Sequence, residues 1–368
     1  MKLADFEYEL PPERIAQSPA QPRDASRLFV LRRGAAAGGK GAADAQGGGR
    51  DVPFEHAVFR DIGRFLTPGD LLVLNDTRVL PARLRGAKGS GGRIEILLVE
   101  PEARGDGTGD VWLCIAGFSR PPREGASLDF GGGLDVRYLG PGPQGMHRVT
   151  LRAPEGTSLR EALALIGEMP LPPYIRRNGD PSAALADAER YQTVYAAREG
   201  AIAAPTAGLH YTKQLLADLR GKGIGIAKVT LHVGPATFLP VRTEEVQDHP
   251  MGAERYEIPR ATAQAVAAAR RRGGRVVAVG TTVVRALESA SDGRGGILPA
   301  AGRTDLYVYP GYRFRVVDAL VTNFHLPRST LLVLVAAFAG RERILEAYRE
   351  AVAAGYRFYS YGDAMLIL

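Results

Sequence analysis

From Leu66 to about Pro154 the chain is built of short apolar runs. LLVLND, RLRGAK, RIEILLVE, VWLCIAGF, LDVRYL and HRVTLRA carry β-branched or aromatic residues, and turns such as KGSGG, RGDGTGD and PGPQG separate them. Runs of this length between Gly/Pro clusters predict strands, and about six of them with no helix between predict a small β-barrel. From Ser158 the period becomes helical. SLREALALIGEM predicts a helix with Ser158 near its N-cap. Leu215, Leu216 and Leu219 mark a second helix stopped by Gly221. Strands and helices then alternate: IAKVTLHV, PRATAQAVAAARRRG, RVVAVG, TTVVRALESA, VDALVTNF, STLLVLVAAFAG and RERILEAYREAVAAG. That alternation predicts a layered α/β domain. Upstream, RLFVL and VPFEHAVF read as strands flanking residues 34–50, whose Gly/Ala-rich composition cannot form a core and reads as a disordered loop. The expected architecture is a layered α/β main domain (1–65 and 155–368) with a small β-barrel domain inserted at 66–154. No internal repeat is visible.

Composition narrows the class. The chain has 368 residues, 45% hydrophobic and 24% charged, as globular proteins have. Its one cysteine, Cys114, excludes an internal disulfide and any cysteine-rich metal site. The longest apolar stretch, Leu331 to Ala339, is too short to span a membrane. MKLADFEYEL carries acidic residues where a signal peptide needs an apolar run. A cytoplasmic monomer without a membrane partner is expected. The net charge of +7 permits a polyanionic partner such as nucleic acid, although codon bias accounts for part of the arginine excess.

Five stretches carry candidate chemistry. PTAGLH (205–210) forms a tight turn before a helix and holds Thr206, Gly208 and His210. LNDTRVLPARL (74–84) groups Asp76, Arg78 and Arg83, for which either mutual pairing or anion binding is open. VTLHVGPATFLPVR places His232 at a strand end. GTTVVRALES puts Thr281 and Thr282 at a helix start, where free N–H groups bind anions or polar ligand atoms, with Arg285 further along. VTNFHLPRSTL repeats the arrangement with Asn323 and His325. Chain alternation brings His210, His232 and His325 to one sheet edge, where a shared site is expected. Metal binding is disfavoured, because there is no HExxH and no short-spaced ligand pair. DHPMGAE, with Asp248, His249 and Glu254, reads as a solvated loop. No P-loop or Rossmann fingerprint occurs in the right context.

These motifs also carry a resemblance. PTAGLH, VTLHVG, VGTTVVRALES, VVDALVTNFHLP, YRFYSYGDAM, MPLPPYI with YQTVYA, and the opening DFEYELPPERIAQ together resemble the S-adenosylmethionine:tRNA ribosyltransferase-isomerase family of queuosine biosynthesis, nearly end to end. Two positions depart from the family pattern: Gly252 stands where the family has the second His of HxMHxE, and Pro235 and Ala236 replace the usual residues of VGAGT. The resemblance implies transfer and isomerisation of the ribosyl group of S-adenosylmethionine, a substrate rather than a prosthetic group. The acceptor is a 7-aminomethyl-7-deazaguanine at the tRNA wobble position. The products are epoxyqueuosine, adenine and methionine. Such chemistry needs a base beside the sulfonium, an acid for the departing purine and a proton acceptor for the attacking amine. Histidine serves in any of these roles. His210, His232 and His325 are therefore the catalytic candidates, with Asp76 as the carboxylate. Thr206, Gly208, Thr281, Thr282 and Asn323 are candidates for binding the substrate, and Arg78, Arg83 and Arg285 for a tRNA phosphate or the methionine carboxylate. Tyr174, Arg176 and Arg177 are candidates for the tRNA. An RNA methyltransferase and a non-catalytic RNA-binding module are the rival readings.

Overall fold

The computed structural model describes residues 1–33, 54–88, 91–103, 109–118, 120–177, 181–234 and 243–368; the expected loop at 34–50 lies outside them. In chain order the elements are β1 (Arg27–Leu31), β2 (Phe54–Val58), β3 (Leu71–Asn75), β4 (Thr77–Val79), β5 (Arg83–Lys88), β6 (Arg93–Ala103), β7 (Asp110–Gly117), β8 (Ser127–Asp129), β9 (Asp135–Pro141), β10 (His147–Arg152), α1 (Leu159–Ile166) and α2 (Pro181–Arg190). There follow β11 (Arg198–Ala201), α3 (Lys213–Gly221), β12 (Gly225–Leu231), β13 (Glu254–Ile258), α4 (Arg260–Arg271), β14 (Val276–Val279), α5 (Thr281–Ser289), β15 (Ala300–Thr304), β16 (Ala319–Asn323), α6 (Thr330–Ala339), α7 (Arg341–Ala353) and β17 (Ala364–Ile367).

Nine strands form one sheet in the order β15-β13-β12-β3-β14-β16-β17-β1-β2, and six close a barrel in the order β10-β7-β6-β5-β8-β9. The mixed α/β body with a small closed barrel is the architecture expected from the periodicity. The central strands of the large sheet are buried on both faces. Phe29, Leu71, Val73, Val276, Ala278 and Leu320 point into a core shared with α4, α5, α6 and α7. Their neighbours Leu28, Leu72, Leu74, Val277, Val279 and Val321 point into the opposite core, with Leu215, Leu216 and Leu219 of α3. Period-two side chains buried on both sides produce unbroken apolar runs.

That pattern explains one correction. LLVLND, read as the first barrel strand, is β3, and it lies between β12 and β14 at the centre of the large sheet. The sixth barrel strand is instead the short β8, whose SLD sequence gave no apolar run. Similarly, α1 packs Ala162 and Leu163 against the barrel core rather than on the large sheet. Ser158 caps it as expected: its hydroxyl accepts from Glu161 N at 3.2 Å while Glu161 Oε2 accepts from Ser158 N at 2.9 Å.

Candidate functional site

β12, β3, β14 and β16 run parallel, so their carboxyl ends share one edge. There the chain places His232, Asp76, Gly280 and Asn323 in neighbouring loops or strand termini. Open α/β sheets bind ligands at this edge because the loops there diverge and leave a crevice. Two cavities open along it, and Val233 borders both.

The first is a cleft walled by Pro205, Thr206 and Ala207 of the PTAGLH turn, the Gly280–Thr282 turn, the segment from Thr322 to Leu326, and the aromatic residues Tyr174 and Tyr359. Gly280, at φ 96°, turns the chain from β14 into α5 in a conformation that favours glycine. The first N–H groups of α5 have no acceptor within the helix, and they concentrate partial positive charge at the cleft. Asn75 Nδ2 donates to Thr282 Oγ1 at 3.4 Å. α6 also starts at this cleft. Its cap residue Ser329 accepts from Leu332 N at 3.2 Å and borders the cavity. On the opposite wall the Tyr174 and Tyr359 rings lie 4.3 Å apart, and Tyr174 Oη bonds Ser360 Oγ at 2.6 Å.

His325 belongs to this cleft. Its backbone is fixed on both sides: N–H donates to Tyr348 Oη at 3.1 Å, and the carbonyl accepts from Tyr8 Oη at 2.5 Å. Its Nε2 lies 2.8 Å from Thr322 Oγ1. Burial disfavours the charged imidazolium and pulls the pKa down to about 3. Thr206, Thr281, Thr282 and Asn323 border the same space, and so does Tyr174, which the sequence marks as a candidate for the tRNA.

His210 does not. Its ring packs on Phe59 at 5.0 Å, its Nδ1 meets Ser26 Oγ at 2.7 Å and its Nε2 meets Asn323 Nδ2 at 3.1 Å. Burial first, then the nearby Arg357 and Arg23, lower its pKa to about 3. It stands behind the cleft wall with both nitrogens engaged by the protein, and so is not placed in the cleft where the sequence predicts a shared catalytic site. Gly208 likewise lies behind the wall. A Cβ there would sit 2.0 Å from Tyr195 Oη, so close packing, not ligand contact, accounts for the glycine.

His232 faces the second cavity, which lies between the barrel and the sheet edge. Its Nδ1 lies 2.9 Å from Thr77 Oγ1, and burial lowers its pKa to about 4, with Arg255 adding to the effect. Glu100 from the barrel stands opposite, paired with Arg303 at 3.1 Å and Arg255 at 3.7 Å. Gly252 and His249 also border this space. The three histidines therefore share an edge but not a cavity.

The remaining candidates are held by the fold. Asp76 accepts from Thr230 Oγ1 at 2.7 Å and borders neither cavity. Arg78 donates to Ala196 O at 2.6 Å, and Arg83 to Leu171 O at 3.0 Å. Arg285 forms a buried ion pair with Glu254 and donates to Leu306 O at 2.9 Å. Glu254, read as part of a solvated loop, thus starts β13 in the interior. Arg177 makes a two-pronged pair with Asp187 at 2.6 and 2.8 Å, which leaves Arg176 as the exposed cation of that pair. Thr322, Ser329, Tyr359 and Ser360 were not singled out from sequence, although YRFYSYGDAM was conspicuous as a stretch. Among the described residues no group of three or more His, Cys, Asp or Glu side chains is placed to hold a metal ion, and no helix is long and apolar enough to cross a membrane.

A ligand cleft at the carboxyl edge of the four parallel strands at the centre of a mixed sheet, with a neutral histidine and a helix N-terminus facing it, defines an enzyme of the α/β class. Residues 3–367 match the family model described as queuosine biosynthesis protein. A protein of Anaeromyxobacter sp. (strain Fw109-5) is 54% identical over 367 residues, covering 100% of this chain and 99% of the relative. One of Moorella thermoacetica is 51% identical over 370 residues, covering 100% of both chains. Each is named S-adenosylmethionine:tRNA ribosyltransferase-isomerase. The crystal structure of an S-adenosylmethionine tRNA ribosyltransferase from Thermotoga maritima is similar with a TM-score of 0.51 and 38% identity, covering 99% of this chain and 100% of that one. The chain belongs to the queuosine biosynthesis protein family, and it is a transferase–isomerase enzyme.

Proposed function

We propose that this enzyme transfers and isomerises the ribosyl group of S-adenosylmethionine onto the 7-aminomethyl-7-deazaguanine wobble base of tRNA, giving epoxyqueuosine and releasing adenine and methionine. The observation that carries the reading is the cleft where His325, Asn323, Thr281 and Thr282 converge on the amino end of α5. The methionine carboxylate suits that helix end. The Tyr174 and Tyr359 faces suit a sulfonium or a purine. A sulfonium acidifies the hydrogens on the adjacent ribose carbon, so ylide formation needs a proton acceptor there. Thr322 Oγ1 donates to the Asn323 carbonyl at 3.3 Å and can accept from His325 Nε2–H, which leaves the His325 Nδ1 lone pair for that role. The burial that keeps this imidazole neutral also makes its protonated form costly. A bound carboxylate nearby offsets part of that cost.

His232 and the second cavity are the place we assign to the acceptor base and its amine, since the barrel and sheet form both walls there. Arg176 and the net charge of +7 supply attraction for tRNA phosphates. We read the working form as a cytoplasmic monomer. The test is incubation with S-adenosylmethionine and tRNA carrying the precursor base, followed by mass analysis of nucleosides. The reading requires ribosylated base together with free adenine and methionine. S-adenosylhomocysteine with a methylated nucleoside would replace it with methyl transfer. RNA binding with no consumption of S-adenosylmethionine would leave only a binding module.

A further inference from the structure

The orientation of one amide in the cleft is determined by its neighbours. The carbonyl of Tyr359 can only accept, and it lies 3.1 Å from Asn323 Nδ2, so the amide nitrogen is on that side. The same NH₂ group therefore donates its second hydrogen to His210 Nε2 at 3.1 Å. With Nε2 as acceptor, the neutral His210 carries its proton on Nδ1 and donates to Ser26 Oγ at 2.7 Å. Ser26 in turn donates to Arg23 O at 3.3 Å. Every donor in the chain from Asn323 to Arg23 has one acceptor.

The other end of the amide is left over. Asn323 is 2% exposed, and its Oδ1 meets no donor among the described residues. A buried acceptor without a partner is costly, and native structures keep few of them. Asn323 borders the first cleft, whereas the small cavity beside His210 does not include it.

We infer that Asn323 Oδ1 is a specificity-determining acceptor for a neutral N–H or O–H donor on the nucleoside part of the ribosyl donor, and that His210 is a positioning residue that fixes the amide in this orientation. The inference rests on the donor occupying the first cleft. Two groups offer the required chemistry: the exocyclic amine of adenine and a ribose hydroxyl. A neutral donor fits because the amide oxygen carries no charge to match a cation. The arrangement also assigns His210 a role in binding rather than in proton transfer. Mutating it therefore acts through Asn323.

The experiment measures binding to the full chain by titration calorimetry, with thermal unfolding alongside. The ligands are S-adenosylmethionine, an analogue with hypoxanthine in place of adenine, and 2′-deoxy and 3′-deoxy analogues. The wild type binds one of these analogues on the order of tenfold more weakly than the parent, and which one identifies the group read by Oδ1. Asn323→Ala weakens the parent by a similar factor and erases that analogue's penalty. His210→Phe, which keeps the ring stack on Phe59 but offers no acceptor, reproduces part of the loss. His210→Gln, which returns an oxygen near the Nε2 position, restores it. Analogues that all bind the wild type like the parent overturn the inference without reference to any variant. An analogue penalty unchanged in Asn323→Ala overturns it as well. A wild type that binds no S-adenosylmethionine overturns the placement of the donor and this inference together.

Discussion

Arg285 and Glu254 face each other in the interior, each 4% exposed, in an ion pair between α5 and β13. Glu254 also accepts from Gly234 N at 2.8 Å, and Arg285 also donates to Thr304 O at 3.1 Å. The pair ties the helix that starts at the first cleft to the strand that borders the second. Removing one partner leaves the other charge buried and uncompensated, which costs about 3–5 kcal/mol. Arg285→Ala should lower the denaturation midpoint accordingly in urea titrations, while turnover per folded molecule stays near normal. A stable variant with lost affinity for S-adenosylmethionine would return Arg285 to the ligand.

Acid should destabilise the protein from slightly acidic pH downward. His210 and His325 are held neutral to about pH 3 in the folded chain, whereas an unfolded histidine titrates near 6.5. Between these values the unfolded state binds more protons. Their stabilisation is thus complete above about pH 6.5 and is lost as pH falls toward 3. Each ring contributes a slope of up to about 1.4 kcal/mol per pH unit in that window. Stability measured at pH 7.5, 6 and 5 should fall accordingly, and His210→Phe should show a shallower fall. An identical slope in the variant would mean that His210 titrates normally in the fold.

The tRNA contact should weaken steeply with salt, because phosphate neutralisation releases counterions. Arg176 is exposed, and its neighbour Arg177 is already paired with Asp187. Arg176→Ala should reduce the slope of log affinity against log salt by about one phosphate contact. Arg177→Ala should instead cost stability. Affinity that is flat between low and moderate salt would exclude an extensive phosphate interface.

The periodicity of the chain revealed the layered architecture because apolar spacing is set locally. It missed the place of β3, since an unbroken run such as LLVLN looks alike in a small barrel and in a sheet covered on both faces. Loop chemistry at the sheet edge was legible for the same local reason: Asn323 closes a strand, and Thr281 and His325 each come two residues after a strand end. The fate of His210 was not. Ser26 and Asn323, which occupy its two ring nitrogens, lie 184 and 113 residues away in the chain. The pairing of Arg285 was hidden similarly, since its partner Glu254 comes from a stretch whose polar composition resembles an exposed loop.

The account stands on His325 as the proton acceptor in the first cleft. The direct test is single-turnover adenine release by His325→Gln, with S-adenosylmethionine affinity and thermal unfolding measured on the same preparation. Gln keeps a group near the Nε2 position for Thr322 and removes the basic nitrogen. The predicted result is a loss of roughly 10²–10⁴-fold in the rate of adenine release, with affinity and unfolding temperature close to those of the wild type. A near-normal rate in a folded, binding-competent variant would contradict it.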